Sequence, residues 1–206
     1  MSGVQAHGRP RDPGVDRRVA QAALDLFAES GWAGFSMEAV ARRACVGKAS
    51  LYLRWSTKEA LLTDALTLRL SLVTDLDTGT LRGDLVELAT QMLSVYAGDT
   101  GRAALRLSLE ADGIPGVAGH YEQLRQSQVL AARAIVRRGI NRGELPPGTS
   151  ITMLLDTLAG GAMMHALTTP ASRRADLARN TGRYATSLVD FLLHAVRPGP
   201  PEAGAR

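Results

Sequence analysis

Cysteine is nearly absent. Cys45 is the single one in 206 residues, which excludes an internal disulfide and any cysteine-rich zinc site. Histidine is scarce as well. His7, His120, His165 and His194 lie far apart in the chain, with no i, i+4 pair to grip a metal ion, so neither a metal nor a cofactor is expected. The chain has no glycine-rich phosphate loop, no Gly-x-Ser-x-Gly elbow and no His-Glu-x-x-His motif, so nothing in it points to an enzyme. No apolar run reaches the roughly 18 residues of a membrane span. The N-terminus also lacks the apolar core of an export signal. A cytoplasmic protein with no membrane partner is the expectation. Aromatic residues make up only 4%, too few for an aromatic cage around a cationic ligand. Lysine occurs only at Lys48 and Lys58 among 24 basic residues, an arginine bias typical of a GC-rich bacterial genome.

What remains is an ordinary globular composition, 45% apolar and 21% charged, with length for one domain or two. The net charge of +4 is unevenly placed. Residues 1–60 hold nine Lys/Arg against six Asp/Glu, a net of +3, and the longer remainder holds fifteen against fourteen. An excess of this sign on one segment suits a phosphate-facing surface.

Residues 36–62 carry the strongest local pattern. Met37, Val40, Ala41 and Ala44 recur at helical spacing, with Ser36 at the N-cap and Glu38 in the first turn. Cys45-Val46-Gly47 reads as a turn, with Gly47 at the position needing unusual dihedrals. Cys45 itself reads as a small turn residue rather than a redox sensor. A second short helix follows from Lys48, with Leu51 and Trp55 inward. Lys48, Ser50, Tyr52 and Arg54 then lie on its other faces as hydrogen-bond donors. This is the build of a helix-turn-helix, whose second helix enters the major groove of DNA.

The run from Val46 to Leu61, Val-Gly-Lys-Ala-Ser-Leu-Tyr-Leu-Arg-Trp-Ser-Thr-Lys-Glu-Ala-Leu, resembles the signature of the TetR family of one-component regulators. Gly47 stands where that family usually has Ser, Ala49 where it has Gly, and Trp55 where it has Phe. Upstream, Ala22 to Trp32 is similar to the family's first helix and its glycine turn. The specific resemblance spans about residues 15–66. It implies a regulator that binds double-stranded operator DNA as a homodimer, usually a repressor released by a small-molecule effector. The residues expected at DNA are Ser36, Gly47, Lys48, Ala49, Ser50, Tyr52, Leu53, Arg54, Thr57 and Lys58, with Tyr52 and Lys58 on the backbone.

The remaining chain is predicted helical throughout, giving an all-α fold. A helix-turn-helix domain is expected over 15–60 and a helical bundle for ligand binding and dimerisation over 61–197. Residues 1–14 and 198–206 read as disordered ends, with Arg9 and Arg11 able to reach a minor groove. The first helix should bury Val19, Ala23, Leu26 and Phe27. Ser56 and Glu59 suggest a capping box opening a helix that continues through Leu72 to about Leu76. Later helices are predicted from Asp84, from Thr100, across Tyr121–Ile135, from Thr149 or Ser150 to Thr168, and from Ser172 to Val196. Met92, Tyr96, Leu107, Tyr121, Leu124 and Gln128 are candidates to line a ligand pocket, or simply to be core. Gly160 and Gly161 sit within a helix, where each costs about 1 kcal/mol relative to Ala. With Leu158, Met164, Leu188 and Leu192 they make a candidate dimer interface, since the resembled family pairs its last two long helices. Tight packing inside one chain is the alternative. Two other functions stay open: an α-helical enzyme or carrier using the C-terminal pocket, and a DNA-binding regulator that takes no ligand.

Overall fold

A computed structural model describes residues 13–70 and 76–196. Among these residues all regular structure is helical. The chain divides into two compact units, 1–69 and 70–206.

The first unit holds α1 (Pro13–Gly34), α2 (Met37–Arg43), α3 (Lys48–Arg54) and α4 (Lys58–Leu70). α1 breaks at Gly31, whose φ of 65° and ψ of −172° interrupt the helix before its last residues. Only glycine takes this backbone without strain. The break brings Trp32 onto Phe35, stacked with centroids 5.7 Å apart, and Phe35 edge-on to Phe27 at 6.5 Å. Leu24, Phe27, Leu51, Leu61, Leu62 and Leu66 complete a core closed to solvent. Val19, Ala23 and Phe27 are buried as the periodicity predicts, but Leu26 is only half-buried and its neighbour Leu24 points inward.

Two local expectations are corrected. The unusual dihedral of the α2–α3 turn belongs to Cys45 (φ 54°), and Gly47 is extended at φ −65°, ψ 137°. The amides of Cys45 and Val46 return to the carbonyls of Arg42 (3.3 Å) and Ala41 (3.0 Å). That is the Schellman ending of a helix, and its left-handed residue directly follows the C-cap, two positions before Gly47. The N-cap of α4 is Thr57, not Ser56. Thr57 Oγ1 accepts from the Ala60 amide at 3.2 Å, which leaves no capping box with Glu59. α4 is described to Leu70. Leu72 lies outside the described residues, and Leu76 is not helical.

The second unit contains α5 (Leu81–Ala97), α6 (Gly101–Glu110), a 3₁₀ turn (Ala111–Gly113), α7 (Ala118–Asn141), α8 (Ile151–Thr168), α9 (Ala171–Arg179) and α10 (Thr181–Ala195). α5 is central and packs on α6, α7, α8 and α10. Its Leu81, Leu85, Leu88 and Leu93 meet Ile135 and Val136 of α7, Leu154, Leu158 and Ala162 of α8, and Ala185, Val189 and Leu192 of α10. α5 begins three residues before the predicted start. Thr80 caps it by accepting from the Gly83 amide (3.1 Å), and Asp84 folds inward. The predicted single last helix is two. Asn180, at φ −123° and ψ 28°, separates α9 from α10. Its amide is satisfied by the carbonyls of Asp176 and Leu177, both at 3.0 Å, so the break leaves no orphaned donor.

Candidate DNA-binding site

α2 and α3 are held as a pair from below. Met37, Val40 and Ala41 of α2 and Leu51 of α3 are buried, and Trp55 closes the end of α3. The Trp55 indole donates to Asp64 of α4 at 2.8 Å. With one face of α3 fixed to the core, Lys48, Ala49, Ser50, Tyr52 and Leu53 all face solvent. Leu53 is 86% exposed. A large apolar side chain left so open contributes nothing to folding and is available to a partner surface such as a thymine methyl.

The remaining candidates sit around this face in different ways. Ser36 Oγ accepts from the Ala39 amide at 3.2 Å, so its hydroxyl proton is free to donate outward. Thr57 does the same at the start of α4. Gly47 is exposed, and a Cβ there would meet nothing within 4 Å. Tyr52 donates its hydroxyl to Glu38 Oε1 at 3.1 Å, bridging α3 to α2. That hydrogen bond raises the Tyr52 pKa. The Glu38 carboxyl is lowered first by its own amide at the start of α2 and then by Tyr52, with a smaller pull from Lys48. Tyr52 is therefore positioned as a neutral donor and Glu38 as an anion.

Two candidates are tied down within the unit. Arg54 pairs with Asp16 of α1 and is only partly exposed. The Lys58 ammonium lies 3.9 Å from the Trp32 ring centroid and donates to the Phe35 carbonyl at 3.4 Å. These contacts join residues 23 to 38 positions apart, so no local pattern announces them. The available signal for Arg54 was Asp16, the carboxylate in the first turn of α1 beside Arg17 and Arg18.

In the second unit, the six ligand candidates separate. Leu107 is fully buried. Tyr96, Tyr121 and Leu124 are half-buried. The Tyr121 hydroxyl is pushed up by burial and then by the neighbouring Tyr96. Met92 and Gln128 line a cavity of about 180 Å³ with Ala132, Leu155, Asp156 and Ala159. Of the interface candidates, Leu158 and Leu192 belong to the unit's own core. A Cβ on Gly161 would sit 3.1 Å from Leu188 of the same chain, whereas one on Gly160 would meet nothing within 4 Å. Met164 is 55% exposed.

Comparison with known proteins agrees with this geometry. Residues 20–65 match the family described as "Bacterial regulatory proteins, tetR family", and residues 75–185 match "Tetracyclin repressor-like, C-terminal domain". The chain is 32% identical over 158 residues to an uncharacterized HTH-type transcriptional regulator, YdeS, of Bacillus subtilis, covering 74% of this chain and 78% of that one. It is 33% identical over 144 residues to the HTH-type transcriptional regulator AqdR of Rhodococcus erythropolis, covering 69% and 70%. Its fold is that of the transcriptional regulator FadR from Bacillus subtilis, solved in complex with stearoyl-CoA, at TM-score 0.65 and 18% identity over 87% of this chain and 98% of that one. Among the described residues no helix is long and apolar enough to cross a membrane. A solvent-facing α3 on a buried brace, matched family segments in both units and regulator relatives along most of the chain lead to one assignment: the protein belongs to the TetR family of DNA-binding transcriptional regulators, and is not an enzyme.

Proposed function

We propose that the protein is a cytoplasmic repressor that binds a palindromic operator as a homodimer and is released by a small-molecule effector. The observation that supports it best is the exposed face of α3, where Lys48, Ala49, Ser50, Tyr52 and Leu53 share one surface while Leu51 anchors the other side. In the proposed complex this face enters the major groove, and Ser36 and Thr57 bind phosphates from helix starts. Gly47 lets the backbone approach closely. Arg54 supports α3 through Asp16, and Lys58 serves a phosphate from its seat on Trp32.

The dimer in this reading uses the outward faces of α8 and α10, with Gly160, Met164 and Leu188 joined by Met153 and Phe191. Met153 and Phe191 are 71% and 69% exposed. Effector binding is assigned to the cavity at Met92 and Gln128, with Tyr96, Tyr121 and Leu124 beside it. At about 180 Å³ it is below the 300–1,000 Å³ of typical ligand sites, so an effector of ordinary size must open it. A ligand that favours the opened state lowers operator affinity only as far as the two states differ in DNA affinity.

The test is fluorescence anisotropy with duplex DNA from upstream of the protein's own gene. Lys48→Ala is expected to reduce affinity and to flatten the salt slope by about 0.9, the value of one released phosphate contact. Equal affinity for that DNA and for scrambled duplex, or an unchanged slope, would refute the placement of α3.

A further inference from the structure

A second and larger cavity, of about 510 Å³, lies where the end of α8 meets α9 and α10. It shares no lining residue with the cavity at Met92 and Gln128. One wall is a parallel aromatic pair, His165 and Tyr184, with ring centroids 3.6 Å apart and planes 3° from coplanar. Leu177 and Pro170 add apolar surface. Arg173 and Arg183 bring two guanidinium groups, and neither has a salt-bridge partner among the described residues. The carboxylate at the cavity, Asp176, is already paired with Arg179.

The other polar groups sharpen the selection. Thr168, Thr169 and Ser187 donate their hydroxyl protons to the backbone carbonyls of Met164, His165 and Arg183. The Asn180 side-chain amide donates to the Asp176 carbonyl at 3.0 Å. The charged donors left for a ligand are the two guanidiniums, which bind carboxylates in a planar fork, with the Tyr184 hydroxyl and a second Asn180 N–H as neutral donors beside them. The His165 imidazolium is disfavoured by burial and then by the charge of Arg173, so the ring presents a neutral surface. The volume is that of an ordinary small-molecule site.

We propose that this cavity binds an aromatic carboxylate, its anionic group on Arg173 and Arg183 and its ring against the His165–Tyr184 wall. The site is independent of the effector cavity assigned above. Heteronuclear NMR of the full chain titrated with sodium benzoate, benzyl alcohol and inorganic phosphate tests it. Benzoate is expected to give saturable amide shifts at Leu177, Asn180 and Tyr184. Its dissociation constant should rise at least tenfold in Arg173→Gln/Arg183→Gln, two exposed positions where the fold is kept, and should be unchanged in Gln128→Ala. Benzyl alcohol should bind at least tenfold more weakly than benzoate. Absence of saturation, equal binding of benzyl alcohol, or full benzoate affinity in the double variant would overturn the site. Phosphate binding as tightly as benzoate would overturn the aromatic part of the ligand.

Discussion

Replacing Asp84 tests how the second unit is fastened at its start. The residue is fully buried, and a buried carboxylate persists only when it is paired and hydrogen-bonded. Asp84 Oδ1 accepts from the Thr78 amide at 2.6 Å and from the Thr78 hydroxyl at 2.8 Å. Oδ2 faces Arg138 at 3.6 Å and Arg142 at 3.7 Å, both near the end of α7. Next to it, Glu144 accepts the Leu81 amide at 2.7 Å. Removing one partner of a buried pair costs about 3–5 kcal/mol. Here the two arginine side chains are about 30% exposed and regain some water, so Asp84→Ala should cost about 2–4 kcal/mol. Asp84→Asn keeps an acceptor for Thr78 but turns an NH2 donor toward Arg138 and Arg142, losing both the charge and an acceptor, so its cost should be about 2–3 kcal/mol.

The pH dependence has a fixed sign. Burial pushes the Asp84 carboxyl up, but the Thr78 amide and hydroxyl, then Arg138 and Arg142, outweigh it, and its pKa lies below the ordinary value. A depressed carboxyl stabilises the fold above its unfolded pKa of about 3.9, and that contribution disappears as pH falls through the folded value. Wild type and Asp84→Asn should therefore differ at pH 7, and the gap should begin to narrow only as pH falls below about 4. The assay is urea unfolding followed by two probes. Both tryptophans, Trp32 and Trp55, belong to the first unit, so their emission reports that unit, and ellipticity at 222 nm is dominated by the longer second one. Only the ellipticity transition should move. Asp84→Ala melting with wild type at pH 7, or a gap to Asp84→Asn that does not narrow at all as pH falls below about 4, would refute the reasoning.

Other substitutions separate competing roles. Lys58→Ala removes the ammonium from Trp32 and should lower first-unit stability by about 1 kcal/mol, read from tryptophan emission. If it also leaves the DNA salt slope unchanged, its charge serves Trp32 alone. Gly139→Ala would place a Cβ 2.8–3.0 Å from Leu81. Overpacking of 1–3 kcal/mol exceeds the roughly 1 kcal/mol gained in helix propensity, so the ellipticity midpoint should fall, and a rise would show that Leu81 yields freely. Met164→Arg puts a charge on the proposed dimer face without touching the core. Sedimentation should show a monomer with wild-type helicity, and a persistent dimer would move the interface elsewhere.

The helix-turn-helix was largely legible from the sequence because α2 and α3 are short and each buries one face. Leu51 and Trp55 stand four apart on α3, and the structure buries both. What escaped was chemistry between distant residues. Asp84 reads as a helix-start carboxylate, a local role with a local reason, whereas its actual partners include Arg138 and Arg142, more than fifty positions away. The Cys45 dihedral was assigned to Gly47 because glycine is the usual left-handed residue. The Schellman bonds from Cys45 and Val46 to α2 place the left-handed residue directly after the C-cap, at Cys45 rather than at Gly47.

α8 presents the opposite difficulty, and its resolution bears on assembly. Its segment Ile151–Ala166 carries apolar residues on more than one face, so periodicity alone cannot say which stripe faces inward. Leu158 and Met164 were therefore equivalent candidates for an interface. The fold separates them: Leu154, Leu158, Ala162 and Ala166 are buried within the chain, whereas Met153, Gly160 and Met164 look outward. Met153 and Met164 thus leave apolar surface on α8 that the described chain does not cover. Gly160 sharpens the point, because among the described residues nothing beyond its own helix comes within 4 Å of a Cβ placed there, and an exposed helix gains from Ala instead. Gly160→Ala should therefore stabilise an isolated chain by about 0.5–1 kcal/mol but weaken a dimer in which a second helix crosses at Gly160. Its effect on the dissociation constant, set against its effect on the monomer's unfolding, distinguishes a glycine kept for a partner from one tolerated on an open surface.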